Sequence, residues 1–191
     1  MTTQPQLEVA AREVIHRLQD IEEFQNVRIL IIGGLAVKKY RPMVQETREV
    51  DFLVDLGPRL EELPSGASEL LTQGLTVVYP NDLSQPAEMR FKFRFKSHLS
   101  PPNDIPIKFV SGQIAPYVPQ TAMTIAATKK TNTLPYISQL DLAIIKIFSC
   151  GMRATHAQRR QDAVDAGELV RDLNKIMPIQ PSAQQDAAIQ G

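Results

Sequence analysis

Residues 29–37 read Ile-Leu-Ile-Ile-Gly-Gly-Leu-Ala-Val, and residues 47–55 read Thr-Arg-Glu-Val-Asp-Phe-Leu-Val-Asp. Four branched apolar residues in a row fit a fully buried strand, and a Gly pair at its end fits a tight strand-to-helix turn. Glycines there let the backbone approach a ligand closely. Leu35 to Tyr40 is long enough for a brief helix that stops before Pro42, since proline disfavours helical geometry in the residue ahead of it. The free N–H groups at the start of such a helix attract phosphate. A buried strand followed this way by a helix points to an α/β layer structure.

The second segment adds a chemical constraint. Side chains alternate along a strand, so Glu49, Asp51, Leu53 and Asp55 share one face and Val50, Phe52, Val54 and Leu56 the other. The pattern predicts one core face and one acidic face. Carboxylates at positions 49 and 51 repel each other unless a cation lies between them, and an oxygen-only ligand set suits Mg²⁺ arriving with substrate phosphates. An amphipathic edge strand with solvated acids has the same alternation.

Together, Gly33-Gly34 and Glu49-Val50-Asp51 resemble the pattern of the nucleotidyltransferase fold, the DNA polymerase beta-like superfamily. That pattern is an apolar strand, a Gly-Gly or Gly-Ser turn, a spacer, then an acid, any residue and aspartate. The wording around Thr47 looks most like the branch holding the AbiEii-type toxin nucleotidyltransferases and uncharacterised fungal relatives. The resemblance implies that Gly33 and Gly34 hold a nucleoside triphosphate. It implies that Glu49 and Asp51 are the catalytic carboxylates and ligands of Mg²⁺ (or Mn²⁺). The implied activity is transfer of a nucleotidyl group to a hydroxyl acceptor, left open among an RNA, a protein side chain and a small molecule. The alternative is a catalytically degenerate binding or regulatory protein on the same scaffold.

The C-terminal half carries a further similarity. Ser138-Gln139-Leu140-Asp141 has the form of a capping box, opening an apolar run from Leu142 to Phe148 that Gly151 is expected to close. A second helix is expected from His156 to Leu173, with Ala163, Ala166, Leu169, Val170 and Leu173 on one side and Asp162 and Asp165 close together on its surface. This pair resembles the helices after the catalytic sheet in the AbiEii-like branch, which implies that Lys146 contacts the phosphates. Pairing with Asp162 or Asp165, its stem laid on apolar surface, accounts for Lys146 equally.

One departure from the family pattern bears on catalysis. The resemblance calls for a third carboxylate on a later strand, and the candidate strand, Ile105 to Val110, has none. Lys108 stands about where it is expected. Asp55 and Asp104 are the remaining candidates. In a two-metal mechanism that acid serves as general base or shared ligand.

The alternation of Phe91, Phe93 and Phe95 with Arg90, Lys92, Arg94 and Lys96 predicts a strand with an aromatic and a basic face. A charged edge strand protected against aggregation is favoured over a phosphate-binding ladder. Lys plus Arg number 21 and Asp plus Glu 21, which argues against an extensive nucleic-acid surface. The expected fold is α/β (α+β), a mixed sheet of about four or five strands flanked by helices, with a C-terminal helical pair. Residues 1–178 are expected to form a single domain, sheet part to about 135 and helical part from about 136, with 179–191 a mobile tail. Leu7, Ala10, Ala11, Val14, Leu18 and Ile21 predict an N-terminal amphipathic helix lying on the sheet. A short helix is expected before the strand Leu75–Tyr79, and a loop over Ser97–Asp104. No apolar run approaches the ~20 residues of a membrane helix, and Met1 to Gln6 lacks signal-peptide character. A cytoplasmic protein is expected. Cys150 is the one cysteine, and His16, His98 and His156 lack metal-ligand spacing, which excludes a disulfide framework and a cysteine–histidine zinc site.

Overall fold

The computed structural model describes residues 2–43, 46–55, 75–78, 90–97, 100–176 and 178–190, with backbone alone for residues 23, 75–78, 90–97 and 100–104. The expected short helix ahead of Leu75 lies outside the described residues. Helix α1 (Gln4–Gln19) opens the chain, its Thr3 cap and Gln6 forming a reciprocal capping box. It buries Leu7, Ala10, Ala11, Val14, Ile15 and Leu18 and packs on the sheet, in contact with its strands and the helix that follows the first of them. The spacing of these side chains makes one continuous apolar face, which is what holds α1 there.

Among the described residues, six strands form a mixed sheet. They are β1 (Arg28–Ile32), β2 (Val50–Asp55), β3 (Leu75–Val78), β4 (Arg90–Ser97), β5 (Ser100–Ser111) and β6 (Met123–Thr124). Their order is β3-β4-β5-β2-β1-β6. The β2–β5 pair is parallel and the other pairs are antiparallel. The architecture is the expected mixed α/β one, and the strand beyond the expected four or five is β6, two residues long and too short to leave a sequence pattern. Two expectations are corrected. The basic strand β4 is internal, with β3 on one side and β5 on the other, so charge on it is no device for guarding an edge. The loop expected over 97–104 is mostly strand, because Phe95 pairs with Asn103 and Ser97 with Ser100 across a register irregularity. Such a bulge tolerates Pro101 and Pro102, which a regular ladder would exclude.

Strand β2 carries buried side chains on both faces. Val50, Phe52 and Val54 enter the main core, where Phe52 stacks on its register partner Phe109 with ring centroids 5.6 Å apart. The face predicted to be acidic and open also carries the buried Leu53. It is covered by helix α4 (Gln139–Met152) of the C-terminal pair, whose Leu142 and Ile145 share a cleft with Asp51 and Leu53.

Helix α2 (Gly33–Tyr40) follows β1 without a gap, and α3 (Ile125–Thr131) follows β6. Helix α4 passes through Gly151 to Met152 instead of stopping there, and α5 (His156–Asn174) pairs with it. Arg41, at the end of α2, bonds Glu168 at 2.9 Å and Asp172 at 3.3 Å on α5, and Tyr40 donates to the Ile137 carbonyl at 2.6 Å. These links fix the helical pair over the Gly-Gly turn. The stretch after Pro178 contains a further helix, α6 (Ala183–Gln190), which buries none of its side chains and reaches α4 through Gln185. No helix among the described residues is long and apolar enough to cross a membrane.

Candidate functional site

A cleft of about 350 Å³ lies between the β2–β5 pair and α4. Gly33, Glu49, Asp51 and Lys146 line it, together with Lys108 and Arg153. The structure therefore brings together four of the five sequence-predicted site residues. The fifth, Gly34, is one position removed: a Cβ there would lie 2.7 Å from Cβ and Oγ1 of Thr47. Thr47 thus packs on the turn, and its hydroxyl donates to the Glu49 carbonyl at 3.3 Å.

Gly33 is the residue that makes the cradle. Its φ of +65° is a backbone conformation that side chains disfavour. A Cβ built on it would sit 1.9 Å from Oδ2 of Asp51. The turn and the carboxylate are in direct contact, and only glycine allows both the dihedral and the approach. Ile32 is the register partner of Asp51 on β1, so the strand pairing itself delivers the turn to the acid.

Asp51 occupies the floor and Glu49 the exposed mouth, just ahead of β2. Burial pushes the Asp51 carboxyl up to about 7, and repulsion from Glu49 adds to it, against the opposing pull of Lys108, Lys146 and Arg153. A carboxylate this poorly accommodated by the protein is one that a cation would favour. Two carboxylates on one face, crowded by a glycine turn, fit one divalent ion that completes its shell with phosphate and water. Among the described residues no group of three His, Cys, Asp or Glu could hold a metal.

Of the two candidates for a third acid, Asp55 does not fill that gap. Asp55 lies four residues further along β2, about 13 Å from Asp51 at strand rise, and its carboxylate is 3.6 Å from the Arg28 guanidinium. Alternation put it on the right face but at the wrong end. Asp104 pairs at backbone level with Arg94, four residues ahead of Lys108, and its side chain is outside the described ones. Lys108 is the register partner of Asp51 on the parallel strand, so a cation stands beside Asp51 where the acid was expected.

Behind the floor, Lys146 is buried between two acids, its Nζ 2.6 Å from Asp162 and 2.9 Å from Asp165. Arg153 donates to the other oxygen of Asp162 at 2.7 Å. Burial by itself would lower the Lys146 ammonium, but the two carboxylates outweigh it and the pKa is raised. Asp162 and Asp165 were read as surface neighbours and Ala163 as part of the apolar side. Instead, both aspartates are buried and Ala163 is exposed. Burying acids on α5 is compensated by the two cations that α4 and its C-terminus present to them.

Sequence reasoning found the Ser138 cap of α4 but missed the two distant partners of Asp141. Asp141, buried in its first turn, accepts from Tyr117 at 2.7 Å, Ser138 at 2.6 Å and Gln185 at 2.7 Å. Tyr117 belongs to the loop whose Ile114, Ala115 and Pro116 wall the cleft. Ile114 and Met152, 38% and 60% exposed, make its rim apolar. No local spacing could have signalled contacts between these separate elements.

No family model and no curated protein matches the sequence. Solved structures do match. An antigenic nucleotidyltransferase-like protein from Paracoccidioides brasiliensis superposes with a TM-score of 0.55 at 15% identity, over 96% of this chain and 85% of that chain. The fold is nucleotidyltransferase-like. A more remote likeness is to the Cid1 poly(U) polymerase bound to MgATP, with a TM-score of 0.40 at 11% identity over 78% of this chain and 43% of that chain. The expected fold is matched by the first of these solved structures, while the AbiEii-like branch has no counterpart among these likenesses.

Proposed function

We propose that this chain binds a nucleoside triphosphate with Mg²⁺ or Mn²⁺ in the cleft over Asp51 and transfers the nucleotidyl group to a hydroxyl acceptor. The observation that carries the reading is the contact of the Gly33 turn with the Asp51 carboxylate, with Glu49, Lys146 and Arg153 around the same cleft. Glu49 and Asp51 would hold the ion. The ion would neutralise phosphate charge and polarise the phosphorus under attack. The Gly33-Gly34 backbone would cradle the phosphate chain from the start of α2. Lys146, its position fixed by Asp162 and Asp165, would offer a point charge to a phosphate oxygen. The acceptor class stays open among RNA, protein and small molecule. The AbiEii-like branch is the one proposed, on Thr47-Arg48-Glu49-Val50-Asp51 and on Thr47 packing against Gly34. The cytoplasm is the proposed compartment.

A second reading is favoured by a specific observation. Lys108 beside Asp51 removes the position from which a third acid could act as general base, which supports a binding or regulatory protein that keeps the nucleotide and has lost transfer. Calorimetry with the four common nucleoside triphosphates and Mg²⁺ tests what both readings share. Binding of at least one, lost in Asp51→Asn, is expected. Undiminished metal-dependent binding in that variant would overturn both. Incorporation of label from an α-³²P nucleotide into any acceptor separates the enzyme from the binding protein.

A further inference from the structure

We infer that Lys108 limits the cleft to a single divalent ion, with its own ammonium taking a phosphate oxygen on the side of Asp51 where a second ion would sit. The inference rests on the nucleotide-binding reading and deepens it. Asp51 has a neighbour on each side in the sheet, Ile32 on β1 and Lys108 on β5. Paired residues on adjacent strands lie about 4.8 Å apart and project to the same face, and Asp51 and Lys108 line one cleft. On the β1 side the space beside the carboxylate is taken by Gly33, whose Cα is so close that a single added carbon would collide with Oδ2. On the β5 side stands Lys108, whose positive charge acts on the Asp51 carboxylate. Paired ions in phosphoryl-transfer sites are typically 3.5–4 Å apart and share a carboxylate. A second ion bridged by Asp51 would therefore meet either backbone or a like charge at short range.

The charge around the floor agrees with this. Lys146 and Arg153 are engaged with Asp162 and Asp165, two cations against two acids. Among the described strand residues of the cleft, Glu49 and Asp51 face one cation, Lys108, and a second divalent ion would stand beside that like charge.

Counting Mn²⁺ ions by electron paramagnetic resonance tests this. The full chain would be titrated with Mn²⁺ in the presence of saturating α,β-methylene analogues of the four common nucleoside triphosphates, which cannot turn over. Expected are one Mn²⁺ per chain in the parent and two in Lys108→Asp. Lys108→Ala should keep one ion and bind the analogue about tenfold more weakly. Two ions in the parent would overturn the inference and leave the nucleotide reading standing, as would one ion in Lys108→Asp or unchanged affinity in Lys108→Ala. If the parent binds neither analogue nor ion, the nucleotide reading itself fails, and the inference with it. Far-ultraviolet circular dichroism on each variant confirms that the comparison is between folded chains.

Discussion

The charges around Lys146 and those around Asp51 border the same cleft, yet they are balanced in different ways. At Lys146, two cations and two carboxylates from α4, its C-terminus and α5 meet at 2.6–2.9 Å. Each removes the cost of burying the other, and the ammonium is held charged. At Asp51 the acid is crowded by Gly33 and repelled by Glu49, and burial lifts it to about 7. The first cluster balances its own charge before any ligand arrives and holds Lys146 in place at the cleft. The second is left partly uncompensated, and such sites are where proteins keep function at the expense of stability. The difference teaches which cluster positions a charge and which needs a ligand to offset one.

The largest effect should come from breaking the balanced cluster. Lys146→Met leaves two buried carboxylates with Arg153 alone, and a loss of ~3–5 kcal/mol is expected on removing one member of such a group. Urea unfolding reads it as a lower midpoint. Adding Asp162→Asn and Asp165→Asn should recover most of the loss. A single variant as stable as the parent would mean that the cluster holds nothing together.

A smaller loss is expected at the turn. Gly33→Ala meets both the +65° dihedral and the Asp51 carboxylate, at a cost of ~1–3 kcal/mol. Triphosphate binding should fall with it, because Asp51 must move. Gly151→Ala is the control. Its Cβ would meet nothing within 4 Å, and in a helix that change is worth a gain of ~0.5–1 kcal/mol.

The smallest effect, and the sharpest, has the opposite sign. The Asp51 carboxyl is raised in the folded chain from 3.8 to about 7, so the folded state keeps its proton where the unfolded state has lost it. Its penalty is absent below pH 4, grows as pH rises to about 7 and is constant above. Solvent reaching the half-buried carboxylate relieves much of this penalty, so Asp51→Asn should melt higher than the parent at pH 8 by about 2–4 °C, as a gain of ~1 kcal/mol gives in a chain of this size. The difference should vanish near pH 4. A variant that melts lower at pH 8, without metal or nucleotide, would show that Asp51 supports the fold rather than straining it.

Much of the site could be read because its parts are short and local. A strand, a glycine turn and an acid two residues after another are written in consecutive positions, and alternation alone placed Glu49 and Asp51 on one face. Helix α4 was visible in its Ser138 cap and apolar run, and α5 in its extent. What was misread depended on partners far away in the chain. Asp55 shares a face with Asp51, and periodicity carries no record of the distance between them or of Arg28 opposite it. Pairing of Lys146 with Asp162 or Asp165 was readable and is present with both, but the burial of the two acids and the part of Arg153 were not, because acids seldom enter a core unpaired and helix docking is what brings these partners together. The basic strand looked like an edge because nothing in its own residues reveals that β3 will pair with it.

By itself, then, the sequence determined the layer type, the turn at Gly33-Gly34, the two acids beside it and the helices that follow, all consequences of backbone geometry and periodicity over a few residues. The tertiary structure alone decided that Lys108 would stand level with Asp51, that two aspartates would be buried around Lys146, and that one face of β2 would become the floor of a cleft. Those outcomes depend on strand register and helix docking, and both are set by the summed burial of side chains that are distant in the chain.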